Sequence, residues 1–188
     1  LILVLTLPLL GPLFLLVLIA ALLFHKNKLF FSQKRLGVNQ REFRLFKFRS
    51  MIINAENQGS GLYSFVDDNR ITLFGKFIRR TSLDELPQLI NIIKGDMSFV
   101  GPRPAVVGEL DEEEGLPFNM TDRFKVKPGL TGWAQIHGRD NLTWQQKIVY
   151  DLDYVSFSPV KRFFIDIMII LFTPFYLLNF TATYEKRN

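Results

Sequence analysis

Two adjacent carboxylates, Asp84 and Glu85, follow the basic pair Arg79-Arg80 and precede Arg103, which sits in a Gly-Pro-Arg-Pro turn. An ionised Asp is a competent nucleophile toward phosphorus when cations neutralise the phosphate it attacks, so this grouping fits phosphoryl chemistry on a polyphosphate. A hard ion such as Mg²⁺ is the natural helper for such a site, held by one or two carboxylates, here Asp84 and Glu85, plus substrate oxygens. The same residues also have a plainer reading. Ser82-x-x-Glu85 has the spacing of a capping box, and an Asp in the first turn of a helix is favoured by the exposed amides and the helix dipole.

Composition narrows the rest of the chemistry. The 188 residues include no Cys, which excludes thiol catalysis, iron–sulfur clusters, Cys-ligated zinc and disulfide frameworks. Two His, at 25 and 137, are too few for a His-rich metal site. His137 lies close in sequence to Asp140, but no Gly-x-Ser-x-Gly elbow accompanies it, which argues against a Ser-His-Asp triad. Neither a Gly-x-Gly-x-x-Gly fingerprint nor a Walker pattern occurs, so the usual dinucleotide and P-loop cradles are not expected.

The elements that must carry these residues read as an α+β domain, mainly helical. Phe43 to Arg49 alternates apolar and basic residues, imperfectly, as a half-buried strand does. Ile71 to Arg80 is expected as a helix with Lys76 and Arg79 one turn apart on one face. A second helix follows on Leu89, Ile90, Ile92 and Ile93 and stops at Gly95. Gly101-Pro102-Arg103-Pro104 and Pro128-Gly129 read as rigid turns.

Two apolar segments flank this unit. Leu1 to Phe24 carries no charge and would rise roughly 36 Å as a straight helix, enough for a hydrocarbon core. Pro8 and the pair Gly11-Pro12 fall in its middle, where a sharp kink is expected, so a re-entrant hairpin competes with a span. The second run, Phe163 to Phe180, has basic residues at both ends, Lys161-Arg162 and Lys186-Arg187, and fits an interfacial helix broken near Pro174. The division is therefore a membrane element at 1–24, a catalytic domain at 25–162, and a C-terminal interfacial helix and tail at 163–188.

Charge follows the same division. The net +5 conceals a block between His25 and Ser50 with eight basic residues, Lys47 and Arg49 among them, against the single acid Glu42. Such a block fits nucleic acid, anionic lipid or a phosphorylated substrate. Its place beside an apolar segment favours the last two, since juxtamembrane Lys and Arg are drawn to anionic headgroups and mark the cytoplasmic side. No nucleic-acid partner is expected.

The string from Arg80-Thr-Ser-Leu-Asp-Glu-Leu-Pro to Ser98-Phe-Val-Gly-Pro-Arg-Pro104 closely resembles the bacterial sugar transferases called monotopic phosphoglycosyl transferases. Further matches are Gln33-Lys-Arg-Leu-Gly37, Phe46-Lys-Phe-Arg-Ser-Met51 and Lys127-Pro-Gly-Leu-Thr-Gly-Trp-Ala-Gln-Ile-His-Gly-Arg139, in the family's order across nearly the whole chain. The resemblance implies transfer of a sugar 1-phosphate from a UDP-sugar to polyprenyl phosphate, with release of UMP, at the cytoplasmic face of the bacterial inner membrane. It implies a Mg²⁺ dependence, a re-entrant N-terminal helix and a ping-pong course opening surface glycan synthesis. UDP-sugar, polyprenyl phosphate and membrane lipids are the partners it implies, with a homodimer as a further option.

Carried over residue by residue, Asp84 matches the family's nucleophile and Glu85 its partner in metal binding or activation. Arg103 and Arg139 match the Pro-Arg-Pro and Gly-Arg motifs that contact nucleotide or phosphate, and Arg79, Arg80, Lys47 and Arg49 are further phosphate-binding candidates. This chain departs from the pattern at three places: Gly11-Pro12 stands where Ser-Pro is usual, His137 where Asn is common, and Asn69 where Pro is common.

Overall fold

The computed structural model describes residues 2–24, 28–58, 68–111 and 113–178, with the side chains of the first helix from Gly11 onward. His25, Lys26 and the C-terminal flank Lys186-Arg187 lie outside the described residues. The chain is mixed helix and strand, about 53% helical, in line with the α+β reading.

Helix α1 (Ile2–Phe24) leads into an antiparallel hairpin of β1 (Phe30–Leu36) and β2 (Glu42–Phe48), registered Phe30 to Phe48 and Leu36 to Glu42. The strand expected over 43–49 is thus β2. Helix α2 (Leu73–Arg80) begins where Thr72 Oγ1 accepts from the Gly75 amide at 2.9 Å, a side-chain cap that ends one orphan donor of the first turn. Gly75 is required for close approach: a Cβ there would lie 1.8 Å from the Ser50 carbonyl oxygen, so α2 sits directly on the chain leaving β2. Helix α3 (Gln88–Lys94) ends at Gly95, whose φ of 83° is the left-handed stop its sequence position predicts. Strands β3 (Ser98–Val100) and β4 (Gly129–Thr131) pair in parallel, and short α4 (Trp133–Ile136), α5 (Trp144–Ser156) and α6 (Pro159–Leu178) complete the fold. A capping box does occur, at Thr143 and Gln146, where it opens α5.

At both expected breaks the chain stays helical. Helix α1 is continuous through Pro8, Gly11 and Pro12, and α6 through Pro174. An interior proline removes one amide donor and crowds the preceding turn, at a cost of about 3 kcal/mol. Packing along the rest of each helix offsets that cost. Val17 and Ala21 of α1 are buried against Phe48, Ile78 and Leu86, with Leu83 alongside. Ile169 of α6 is buried with Val100, Ile136 and Tyr154, and Thr173, just before Pro174, bonds both the Ile169 carbonyl (2.7 Å) and Thr131 Oγ1 (2.8 Å).

Among the described residues no helix is long and apolar enough to cross a membrane. Described side chains of α1 begin only at Gly11, and α6 carries Lys161, Arg162 and Asp166. The outward face of α6 is nonetheless strongly apolar. Phe163, Phe164, Ile167, Leu171 and Phe175 recur at helical spacing and are 40–71% exposed.

Candidate active site

Asp84 and Glu85 lie in a tight 3-10 turn, Leu83–Glu85, before α3 rather than in its first turn. Leu83 and Leu86 on either side pack into the cluster that holds α1 and α2, which fixes the turn from below. The capping-box expectation fails for a geometric reason. Ser82 adopts a left-handed conformation (φ 54°), and its hydroxyl makes no cap. It accepts instead from Arg139 Nη2 at 2.9 Å, while the Glu85 carboxylate turns away to the cations of β2 and the Pro-Arg-Pro loop. Arg139 is itself left-handed (φ 51°), so two non-glycine residues in a costly conformation meet across the carboxylates. Such strain is concentrated at working sites.

Lys47 reaches the pair because α3 is stitched to β2. Asn91 accepts from the Phe46 amide (3.1 Å) and donates to the Arg44 carbonyl (2.7 Å), which holds β2 alongside the turn. Glu85 Oε1 then accepts from Lys47 Nζ at 2.9 Å and from Arg103 Nη2 at 3.1 Å. Both carboxylate residues are 7% exposed, and Asp84, unlike Glu85, makes no hydrogen bond among the described residues.

The two carboxyls are consequently driven apart in acidity. Burial, reinforced by the Glu85 charge, pushes Asp84 above the ordinary aspartate value against the pull of Lys47, Arg79 and Arg139. Burial would raise Glu85 as well, but Lys47, Arg103 and Arg139 together hold it well below the glutamate value. Burial lowers Lys47, and Glu85 partly restores it. Glu85 is therefore a fixed anion between two cations, and Asp84 a more basic carboxylate with open oxygens.

The structure thus brings Asp84, Glu85, Lys47, Arg79, Arg103 and Arg139 together. It does not bring Arg49 or Arg80 to them. The Arg49 guanidinium is engaged with the Lys28 carbonyl (2.9 Å), the Phe30 carbonyl (3.3 Å) and the Phe31 ring, so it fastens the start of β1. Arg80 is exposed and lies about 100° around α2 from Arg79. His137 is exposed, stacks on Tyr150 and meets Trp133 at a tilt, with Nδ1 2.7 Å from the Trp133 carbonyl, so no triad is formed.

Sequence reasoning missed Arg35 and Arg123. Arg35 donates to the Pro104 carbonyl at 2.8 Å; burial, with Arg103 nearby, lowers its pKa to about 10. Its place in the Gln33–Gly37 match was the available signal. A recess lined by Arg103, Arg123, Gln135, Arg139, Trp144 and Lys147 adjoins the carboxylates through the two shared arginines. Among the described residues no group of three metal-ligating side chains occurs. Two neighbouring carboxylates with unbonded oxygens still fit Mg²⁺, which draws most of its ligands from phosphates and water.

Residues 1–179 match the family described as bacterial sugar transferase. The chain is 40% identical over 176 residues to the UDP-glucose:undecaprenyl-phosphate glucose-1-phosphate transferase of Escherichia coli K12, covering 91% of this chain and 37% of that protein. It is 47% identical over 154 residues to galactosyl transferase CpsE of Streptococcus agalactiae, covering 76% and 33%. With the uncharacterized sugar transferase EpsL of Bacillus subtilis it shares 41% identity over 150 residues, covering 78% and 68%. The chain spans about a third of the length of the first two proteins. Matched along nearly its full length, the chain belongs to the bacterial sugar transferase family.

Proposed function

We propose that this chain transfers a sugar 1-phosphate from a UDP-sugar to polyprenyl phosphate by way of a covalent Asp84 intermediate. The observation that carries this reading is the division of labour between the carboxyls: Glu85 is clamped by Lys47 and Arg103, while buried Asp84 has no hydrogen-bond partner among the described residues. In the first step an Asp84 oxygen attacks the phosphorus bearing the sugar, and the bond from that phosphorus to the UMP oxygen breaks with its electron pair. UMP departs, leaving an acyl phosphate on Asp84. A phosphate oxygen of the polyprenyl carrier then attacks the same phosphorus, the Asp84–phosphorus bond breaks, and the carboxylate is regenerated. One phosphoanhydride is lost and one is made, so no further energy source is needed.

Each cation has a task in this scheme. Arg103 and Arg139 border both the carboxylates and the recess, where they neutralise the diphosphate and the departing UMP. Arg79 and Lys47 keep the ionised form of Asp84 accessible against burial. Mg²⁺, held by Asp84 and Glu85, would add charge neutralisation on the phosphates. Relatives whose names specify glucose and galactosyl transfer support UDP-sugars as the donor class.

The acceptor is a lipid, and the exposed apolar stripe of α6 supports seating of this site at headgroup depth on the cytoplasmic face of the inner membrane. The test is incubation of the full-length protein with polyprenyl phosphate, Mg²⁺ and a panel of UDP-sugars. Lipid-dependent UMP release that disappears in Asp84→Asn is expected. Sustained UMP release without the lipid would make the protein a hydrolase.

A further inference from the structure

Prolines at 102 and 104 contribute no amide donors, so the loop that presents Arg103 is held by its carbonyls. All four consecutive carbonyls are taken. Pro102 O accepts from the Gly129 amide at 2.9 Å, Arg103 O from Arg123 Nη2 at 2.7 Å, Pro104 O from Arg35 Nη1 at 2.8 Å, and Ala105 O from the Leu36 amide at 3.0 Å. The bond on Arg103 itself comes from one of the most deeply buried charges among the described residues. Arg123 is 2% exposed and donates through Nε (3.0 Å) and Nη2 (2.8 Å) to Asp151, also 2% exposed. Its guanidinium lies over the rings of Phe124 and Trp144.

A buried ion pair is weak evidence for stability, because well-packed apolar residues of similar volume serve a fold as well or better. A pair that is costly to bury and that spends a further donor on the backbone of a site residue has a different rationale. We infer that Arg123, oriented by Asp151, is a positioning residue for the transfer reaction: by fixing the Arg103 carbonyl it holds the Arg103 guanidinium on Glu85 and at the mouth of the recess. It touches neither carboxylate, but it also lines the recess, so the Arg103→Ala background is what separates an effect through Arg103 from a direct one on substrate. This inference rests on the transferase reading above.

The test is a cycle of variants measured by single-turnover UMP release from radiolabelled UDP-sugar, which keeps slow variants measurable. The pair replacement Arg123→Met with Asp151→Leu is made in the parent chain and in Arg103→Ala, and melting temperatures are recorded alongside. The expected result is a loss of about tenfold or more in the parent, less than about twofold in the Arg103→Ala background, and melting temperatures within a few degrees. Equal losses in both backgrounds, or full activity in the parent, overturn the inference while leaving the transferase reading intact. If the apolar pair prevents folding, Arg123→Lys, whose ammonium stops one bond short of the Nη2 that reaches the Arg103 carbonyl, goes through the same cycle with the same criteria. A parent chain that releases no UMP from any UDP-sugar overturns the transferase reading and this inference together.

Discussion

Removing Lys47 should be among the costliest single changes in the domain, and the cost should depend on Glu85. The two groups lie 2.9 Å apart with side chains 18% and 9% exposed. At that separation, and with the effective dielectric of about 20 appropriate near protein surfaces, their gross attraction is about 6 kcal/mol, most of it cancelled by desolvation. Lys47→Met abolishes the attraction but leaves Glu85 buried with Arg103 alone. The expected destabilisation is about 3 kcal/mol, at the low end for a broken buried pair because the Arg103 contact at 3.1 Å survives. Glu85→Gln should cost a similar amount by stranding Lys47. The double variant strands neither, so the coupling energy should be about 2 kcal/mol. Urea unfolding of the four proteins at pH 7 measures it. Because Glu85 is held well below its ordinary value, the contribution is complete above the unfolded glutamate pKa of about 4.3 and fades as pH falls through the folded value. Additive effects, or a Lys47→Met cost under about 1 kcal/mol, would refute the clamp and with it the assignment of Glu85 as anchor.

Asp84→Asn should abolish transfer yet stabilise the fold: a carboxyl whose pKa is raised on folding costs stability increasingly as pH rises from the unfolded pKa of about 3.9 toward the folded value, so the gain grows over that window, levels off above it and vanishes below it, as paired urea titrations will show. Wild-type kcat/KM should correspondingly climb with pH above the ordinary aspartate range. Ser82→Gly should relieve about 1 kcal/mol of left-handed strain while Ser82→Ala keeps it; both lose the Arg139 bond, so both should lower kcat, by about tenfold, and only the glycine variant should gain in melting temperature. Phe164→Glu with Phe175→Glu, on the exposed stripe of α6, should cut flotation with anionic vesicles by more than about tenfold without lowering the melting temperature, and undiminished flotation would remove α6 from the membrane-facing surface.

Local chemistry was legible where a single residue decides the outcome. The helix expected over Ile71 to Arg80 is α2, Gly95 ends α3, and the alternation after Phe43 is β2. The residues that meet at the carboxylates were visible as motifs, because Asp84, Glu85, Arg103 and Arg139 each sit in a distinctive string. Illegible features depend on distant partners. Ser82 matched a capping box and instead serves Arg139, 57 positions away. Arg49 and Lys47 share one basic stretch, but only the second is brought to the turn by the stitching of Asn91 to β2. Pro8, Pro12 and Pro174 carry a real helix-breaking penalty, and burial of Val17, Ala21 and Ile169 outweighs it. Arg123 could not be singled out at all, since its importance lies in which carbonyl it reaches.

The central claim is that Asp84 carries the phosphosugar between two substrates. Incubating the full-length protein with a UDP-sugar and Mg²⁺ in the absence of polyprenyl phosphate, then digesting with trypsin, tests it directly, since Thr81–Lys94 is released as one peptide containing both carboxylates. The account predicts a burst of UMP of at most one equivalent and a mass increase of one sugar phosphate on that peptide, fragmenting to Asp84 and discharged by added polyprenyl phosphate. UMP formed only when the lipid is present, with the Thr81–Lys94 peptide unmodified, would contradict it.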